Sequence, residues 1–324
     1  MRILHLWFAL VMVISGPLAL AQTASSPYPN QPIKLMVPWP PGGGVDTTAR
    51  MITEPIGRRL GQSIVIDNRG GAGGNIGTEM AARMKPDGYN LLMGSITPNA
   101  INIHLYPKLS FDPIKDFTPI VFVSSLPIFL VVPANSPIKS VADLLTMARA
   151  NPGKLTYGSA GVGSSQHLAA VQFMAAAKID LLHVPYKGTA PAEADLMAGH
   201  IQLMLDTATC IPLVNSGKLR ALAVTSKKRN PALPQVGTFD EAGIPDLYAS
   251  SWYGLMGPAG MPPAIVAKLN LEANVVLRSP EVQKRMADLG AEVGGGTPEE
   301  FAAFIQSEIQ RYADIVKRSG ARFD

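Results

Sequence analysis

The sequence predicts an α/β protein with two lobes, and three observations support this fold class. Of the 324 residues, 47% are apolar, which is enough for two hydrophobic cores. Strand and helix patterns alternate along most of the chain, which favours mainly parallel sheets with right-handed crossovers, flanked by helices. A strand, a glycine turn and a helix follow one another twice, about half a chain apart. Each lobe is therefore expected to present a helix N-terminus to a shared cleft.

The first of these units begins with residues 33–37, an apolar and branched run typical of a buried strand. Three glycines follow, Gly42, Gly43 and Gly44, and a helical pattern then runs to Gly61 with Ala49, Ile52, Ile56 and Leu60 on its apolar face. Such a turn directs unpaired backbone N–H groups and the positive end of the helix dipole at one point. The pattern indicates a site for a carboxylate or phosphate, although a purely structural turn remains an alternative.

The rest of the first lobe continues the alternation. A strand at residues 63–66 leads into a glycine-rich turn at residues 67–77 and a helix beyond it. Another strand is predicted at residues 89–94, with Ser95 and Thr97 just past its carboxyl end. Ligands of parallel α/β sheets bind outside the carboxyl ends of the strands, so these two side chains are candidate contacts.

The second lobe repeats the design. Ser140 and Asp143 resemble a capping box at the start of a helix. A short strand at residues 154–157 precedes the glycine and serine loop at residues 158–165. The helix after that loop is predicted to place Leu168, Val171, Gln172 and Ala175 on one face. Further strands are predicted at residues 181–184, 201–205 and 221–225, with a helix at residues 190–198 and Asp206 at a strand end.

The chain is predicted to cross between the lobes twice. A long apolar strand at residues 122–132 leaves lobe 1, and a return strand begins near Trp252. The tail is helical: residues 263–277 form one helix, and Thr297 with Glu300 forms a capping box for another that ends at Gly320. The predicted domains are residues 22–122 and 251–324 for lobe 1 and residues 123–250 for lobe 2. Two crossings make a hinge.

The first residues predict export. Residues 3–14 are apolar, and Ala19-Leu20-Ala21 precedes Gln22, so residues 1–21 are interpreted as a cleavable signal peptide. An uncleaved membrane anchor is the alternative, but the apolar run is short for a bilayer. The residue directly after the cleavage site is Gln22 and not cysteine, so we expect no lipid anchor and a periplasmic protein.

Composition argues against several function classes. The net charge is +4, and the basic pairs are scattered without aromatic interleaving, so nucleic-acid binding is not expected. Cys210 is the only cysteine and is interpreted as a buried packing residue. No phosphate-binding or dinucleotide motif is intact, and the histidines have no metal-ligand spacing. The sequence therefore predicts no enzyme, cofactor or metal. A hydrolase that uses Ser164 and His167 is the remaining enzymatic alternative.

Six segments of the chain carry further recognisable motifs. They are residues 37–46 (VPWPPGGGVD), 67–77 (DNRGGAGGNIG), 157–168 (YGSAGVGSSQHL), 184–188 (VPYKG), 217–224 (GKLRALAV) and 251–254 (SWYG). Together they resemble one protein family, the Bug-type periplasmic solute receptors of tripartite tricarboxylate transport systems. The resemblance covers nearly all of the chain after the signal peptide. It implies a two-lobed Venus-flytrap fold with two hinge strands, a small organic acid closed between the lobes, and membrane permease subunits that receive it. We expect the chain to act as a monomer.

The resemblance also implies which residues bind the ligand. In this family backbone N–H groups and ordered water hold the carboxylate, rather than an arginine. The matching positions are Gly42, Gly43, Ser95, Thr97, Gly161, Gly163, Ser164, Ser165 and Asp206. Asp206 is expected either to hold a ligand amine or hydroxyl or to cap the next helix. Trp39 and residues 207–210 depart from the family pattern and leave the other end of the ligand open. A sensor subunit that reports to a membrane kinase is the alternative function.

Overall fold

The computed structural model describes residues 28–319. The predicted signal peptide and the predicted helix end at Gly320 lie outside the described residues. The strands are β1 (Ile33–Val37), β2 (Ile64–Asn68), β3 (Asn90–Ser95), β4 (Phe117–Pro133), β5 (Thr156–Ser159), β6 (Leu182–Pro185), β7 (Leu203–Thr207), β8 (Leu219–Val224), β9 (Ser250–Pro258) and β10 (Glu292–Gly295). The helices are α1 (Gly44–Leu60), α2 (Asn75–Ala82), α3 (Asn102–Leu105), α4 (Val141–Ala150), α5 (Ser165–Ala177), α6 (Thr189–Ala198), α7 (Ile211–Asn215), α8 (Pro263–Leu277), α9 (Pro280–Asp288) and α10 (Pro298–Ser319). Within residues 28–319, none of the helices combines the length and the apolar character needed to cross a bilayer.

The strands form two groups joined through β4. In the first group β1 pairs in parallel with β2 and β3, whereas β9 runs antiparallel to β3 and β4, and β10 antiparallel to β4. In the second group β5 pairs in parallel with β6 and β7, and β4 is antiparallel to β7 and β8. We call each group with its helices lobe 1 and lobe 2. The two-lobed α/β fold is confirmed, but the sheets are mixed rather than mainly parallel, because the connecting strands run against the parallel ones.

Strand β4 links the two lobes without a break. Its residues from Phe117 to Pro127 pair with β9 in lobe 1, and those from Ile128 onward pair with β7 and β8 in lobe 2. Strand β9 brings the chain back into lobe 1, opposite the same stretch of β4. The predicted boundaries at residues 122/123 and 250/251 stay predictions. The change of pairing partner on β4 lies between Pro127 and Ile128.

The C-terminal helix α10 packs on the strands that link the lobes. Its Phe301 ring lies edge-on to the Trp252 indole of β9, with 5.9 Å between ring centroids. Gly254 of β9 allows this approach, because a Cβ there would overlap the Phe301 ring. The predicted capping box is confirmed: the Thr297 amide donates to Glu300 Oε2 at 2.8 Å, and the Glu300 amide donates to Thr297 Oγ1 at 3.2 Å.

Two local predictions for lobe 2 met different outcomes. Ser140 caps α4 as predicted, since its Oγ accepts the Asp143 amide at 3.1 Å. The predicted helix after the glycine and serine loop is α5, and the face that carries Leu168, Val171, Gln172 and Ala175 is only partly buried. Leu168 is fully buried, but Ala175 is exposed and Val171 half-buried, whereas Ala169, Ala170 and Phe173 on other faces are fully buried. The α5 sequence carries alanine on several faces, so apolar spacing alone does not select one of them.

Candidate functional site

A cavity with about 520 Å³ of empty space lies between the two lobes. We call it the interlobe cavity. Lobe 1 contributes Trp39, Pro40, Pro41, Gly43, Gly44, Val45, Ser95, Thr97, Ser251 and Tyr253. Lobe 2 contributes Ala160, Ser164, Ser165, Gln166, Gly188, Thr189, Ala190, Pro191 and Thr207.

Three helix N-termini meet at this cavity. Helix α1 begins after Gly43, α5 after Ser164 and α6 after Gly188, and each of these residues lines the wall. The first N–H groups of a helix have no acceptor within the helix, and the helix dipole adds positive potential there. The cavity is therefore suited to an anion. Sequence reasoning anticipated α1 and α5 but missed α6, whose only signal was Gly188 after a short strand.

Among residues 28–319, no Asp, Glu, Lys, Arg or His side chain lines this wall. Its polar side chains are mostly hydroxyls that are able to donate. The Trp39 indole N–H donates to Ser95 Oγ at 3.1 Å, which leaves the Ser95 hydroxyl proton available for another acceptor. Burial raises the pKa of Tyr253 to about 12, so its phenol keeps its proton. Neutral donors and helix N-termini thus provide the polarity of the site.

Five predicted site residues lie in the cavity wall, namely Gly43, Ser95, Thr97, Ser164 and Ser165. Ser164 is also the N-cap of α5, since its Oγ accepts the His167 amide at 3.2 Å. Their contact with a ligand stays a prediction.

The other predicted glycines do not line the cavity. The Gly42 amide donates to Asp46 Oδ2 at 3.0 Å, and the Gly163 amide donates to His167 Nδ1 at 3.1 Å. The Gly161 amide donates to the hydroxyl of Ser159 at 3.1 Å. These hydrogen bonds stabilise the two loops, and the role of Gly42, Gly161 and Gly163 as ligand contacts stays a prediction.

Asp206 also lies behind the cavity wall rather than in it. Its side chain is fully buried, and its Oδ1 accepts from the Thr207 amide at 2.8 Å and from the Gln166 side chain at 2.5 Å. Burial, and then the neighbouring Glu193 carboxyl, raise the pKa of Asp206 well above its usual range. The two roles expected from the sequence, holding a ligand group or capping a helix, stay predictions; in this arrangement the Asp206 carboxyl group accepts the side-chain amide of Gln166.

Gln166 connects three parts of the lobe 2 wall. Its Oε1 accepts the Ala160 amide at 2.5 Å, and its Nε2 donates to Asp206 and to Thr189 Oγ1, the latter at 3.3 Å. The α5 N-terminus, the glycine loop and the α6 N-terminus are thereby held together. Sequence reasoning missed this residue. Its only signal was a polar side chain at the second position of a helix that directly follows the glycine and serine loop.

The glycine loop before α1 is held by an ionic cluster outside the cavity. Asp46 Oδ2 accepts from Arg50 Nε at 2.9 Å, and Asp46 Oδ1 accepts from the side-chain amide of Asn68 at 3.0 Å. Burial acts to raise the pKa of Asp46, but the hydrogen bonds from Arg50, Gly42 and Asn68 outweigh it and lower that pKa overall. Arg50 is therefore committed to Asp46 and does not provide charge to the cavity.

The glycine and serine loop of lobe 2, residues 158–165, lies next to a stack of three aromatic rings. The imidazoles of His167 and His183 are 4.2 Å apart, and the Tyr157 ring lies 4.8 Å from His183. Burial lowers the pKa of His167 to about 3, with a further contribution from His183, and lowers that of His183 to about 4. The Ser164 hydroxyl bonds to the His167 backbone and not to its ring. The nucleophile and base pair that a hydrolase needs is not formed here.

The chain is similar in sequence and in structure to several known proteins. The family model described as tripartite tricarboxylate transporter family receptor matches residues 48–321. The protein BugT of Bordetella pertussis is 35% identical over 304 residues, covering 93% of each chain. The periplasmic binding protein BugD has a similar structure, with a TM-score of 0.87 and 35% identity over 91% of this chain and 99% of that one.

Two further similar structures hold small organic acids. Rpa4515 of R. palustris, solved with adipate, has a TM-score of 0.89 and 36% identity, and covers 91% of this chain and 100% of its own. MatC of Rhodopseudomonas palustris, solved with malate, has a TM-score of 0.84 and 34% identity, and covers 89% of this chain and 100% of its own.

Proposed function

Because the chain belongs to the tripartite tricarboxylate transporter receptor family, we propose that it captures a small organic acid and delivers it to the membrane subunits of such a transporter. The acid would be closed between the two lobes, with a carboxylate against the three helix N-termini.

The observation that carries this proposal is the convergence of α1, α5 and α6 on a cavity without charged side chains. Hydrogen bonds to a charged group contribute about 1.5–3 kcal/mol each. Four such bonds, less the cost of association, correspond to an affinity of about −8 kcal/mol, in the micromolar range. A receptor that must release its ligand to a transporter is suited to that range.

The ligands of the similar structures point to the chemical class. Adipate and malate, found in Rpa4515 and MatC, are both dicarboxylates. In this chain the second carboxylate or the polar end of a ligand would meet hydroxyls such as those of Thr207 and Tyr253, since no basic side chain lines the wall. We expect a short dicarboxylate or hydroxy acid as the ligand.

The proposal includes export to the periplasm through a signal peptide that ends at Ala21. N-terminal sequencing of exported protein should find Gln22 first. A start well before Gln22 together with retention in membranes after a high-salt wash would contradict this part of the proposal.

The test of ligand class is a thermal-shift screen followed by calorimetry. The screen should contain adipate, malate, other mono- and dicarboxylates, aromatic acids, amino acids, and the uncharged diamides of the best acids. We expect at least one acid to raise the melting temperature and its diamide to leave it unchanged. Stabilisation by the diamides to the same degree, or by no acid in the set, would contradict the proposal.

A further inference from the structure

A second and larger cavity lies at the hinge, with about 1430 Å³ of empty space that is partly open to solvent. We call it the hinge groove. Its charged lining residues are Lys227, Lys228, Arg229, Glu292 and Arg311. None of these residues lines the interlobe cavity.

The hinge groove and the interlobe cavity lie on opposite faces of strand β9. Ser251 and Tyr253 line the interlobe cavity, whereas Ser250 lines the hinge groove. Successive side chains of a strand point to opposite faces of its sheet. The groove is therefore behind the hinge strands when the molecule is viewed from the ligand side.

The walls of the groove belong to different lobes. Residues 225–231 continue from β8 of lobe 2, whereas Gly290 and Glu292 are carried by the end of α9 and by β10, which pairs with β4 in lobe 1. Two hydrogen bonds join the walls. The buried Asn230 Nδ2 donates to the Gly290 carbonyl at 2.8 Å, and Arg311 of α10 donates to the Tyr248 carbonyl at 2.7 Å.

The described arrangement is closed on the ligand side. A Cβ built on Gly43 of lobe 1 would lie 4.0 Å from the Thr189 Cβ of lobe 2. A rotation about β4 and β9 that separates these two residues would also move the two groove walls relative to each other, and would displace Asn230 from Gly290. The shape of the hinge groove therefore depends on whether the interlobe cavity is closed.

Basic side chains outnumber acidic ones in the groove. Among the described residues four cations line it, Lys227, Lys228, Arg229 and Arg311, against one acid, Glu292. Arg229 and Arg311 have carboxylate partners, Glu241 and Glu308. Lys227 and Lys228 are exposed, and in the described part of the chain neither ammonium has an acidic partner. Lys227 instead lies over the Tyr248 ring, 5.2 Å from its centroid.

We propose that the hinge groove binds an extended acidic segment of a protein partner and does so preferentially when the lobes are closed. The two unpaired lysines on the lobe 2 wall and Arg311 on the lobe 1 wall would hold several carboxylates in a row. Such a segment would span both walls, so it would sense their separation. By linkage it would also favour closure itself.

The first test measures binding of a fluorescein-labelled peptide, five repeats of Glu-Gly, by anisotropy at low salt. The Lys227→Glu/Lys228→Glu variant should bind about tenfold more weakly. The Lys108→Glu/Lys154→Glu variant carries the same charge change at exposed lysines outside the groove and should bind within about twofold of the unaltered protein. Equal losses in the two variants would contradict the proposal. Displacement of the peptide by submillimolar inorganic phosphate would also contradict it, because the groove would then be a small-anion site.

The second test locks the lobes closed. Gly43→Cys with Thr189→Cys places two Cβ atoms about 4.0 Å apart, within the range of a disulfide, and Gly43 has an ordinary φ of −81°. The native Cys210 is fully buried and should not interfere. Oxidised protein should bind the peptide several-fold more tightly than the same protein after reduction, with no organic acid present. Equal peptide affinities of the oxidised and reduced protein would show that binding in the groove does not depend on closure.

A third variant separates closure from charge without a disulfide. Asn230→Ala removes the hydrogen bond between the walls and leaves the charge unchanged. The affinity for the peptide should fall several-fold, and unchanged binding would contradict a role for the position of the two walls. None of these measurements uses a bound organic acid, so their outcome is independent of the ligand screen.

Discussion

The side-chain amide of Gln166 donates to the buried carboxyl group of Asp206 over 2.5 Å, directly behind the interlobe cavity. Gln166 lines the cavity, and Asp206 does not. In this arrangement the Asp206 carboxyl group orients an amide that in turn donates to Thr189 Oγ1. With that acceptor position occupied, the Thr189 hydroxyl proton is available for an acceptor in the cavity.

The first prediction concerns the protonation of Asp206. Burial and the Glu193 carboxyl raise its pKa, so the folded protein keeps a proton that the unfolded chain releases as the pH rises above about 4. The contribution of this group to stability is therefore present at low pH and is lost as the pH rises towards the folded pKa. Asp206→Asn should remove this loss, and its free energy of unfolding relative to the unaltered protein should increase between pH 5 and pH 8.

Urea unfolding at both pH values measures this difference. A parallel pH dependence for Asp206→Asn and the unaltered protein would show that Asp206 keeps no extra proton when folded.

The second prediction concerns His167. Its pKa is lowered to about 3 in the folded protein, whereas the unfolded residue takes up a proton near pH 6.5. Stability is therefore fully present above that pH and is lost as the pH falls below it. Between pH 7 and pH 5 the loss due to this residue is about 2 kcal/mol.

His167→Gln keeps an acceptor near the Gly163 amide and cannot titrate. Its free energy of unfolding should fall less between pH 7 and pH 5 than that of the unaltered protein, measured by urea denaturation. If His167→Gln kept the pH dependence of the unaltered protein, burial of the His167 ring would not be the cause of acid sensitivity.

The third prediction compares two glycines of the site. Gly43 has φ −81°, and a Cβ there would meet only Thr189 Oγ1 at 3.8 Å and Thr189 Cβ at 4.0 Å. Gly43→Val should therefore cost less than about 1 kcal/mol of stability. Its larger side chain should obstruct closure and weaken carboxylate binding by on the order of 3 kcal/mol, more than a hundredfold.

Gly163 should respond differently, because its φ is +76° and its amide is already bonded to His167. Gly163→Val should lose about 1–3 kcal/mol of stability through backbone strain. Calorimetry with the best acid of the screen and solution scattering for closure compare the variants. A stable Gly43→Val protein that binds and closes normally would show that the N-terminus of α1 does not contribute to ligand binding.

The fourth prediction concerns the contact between α10 and β9. A Cβ on Gly254 would overlap the Phe301 ring, so Gly254→Ala should cost about 1–3 kcal/mol by overpacking. The double variant Gly254→Ala/Phe301→Leu should recover part of the loss relative to the sum of the two single changes. Urea unfolding measures all four proteins, and strictly additive losses would show that the two residues do not contact each other.

The sequence alone was enough for the features that depend on near neighbours in the chain. The α1 helix with its end at Gly61, the Thr297 and Glu300 capping box and the alternation of strands and helices all follow from spacing, capping and turn chemistry. The six segments that resemble a receptor family were also readable, and they indicated the two-lobed fold and the class of function before any geometry was known.

Only the tertiary structure decided which groups face the cavity. A glycine in a turn has an N–H group wherever it lies, but its direction depends on whether an acceptor is close, and Asp46 and His167 capture the amides of Gly42 and Gly163. The approach of α6 to α1 and the burial of Asp206 behind Gln166 depend on how β4 and β9 place one lobe against the other. Contacts between residues that are far apart in the chain leave no periodic signal in the sequence, and therefore the third helix N-terminus and the hinge groove became visible only when the chain was folded.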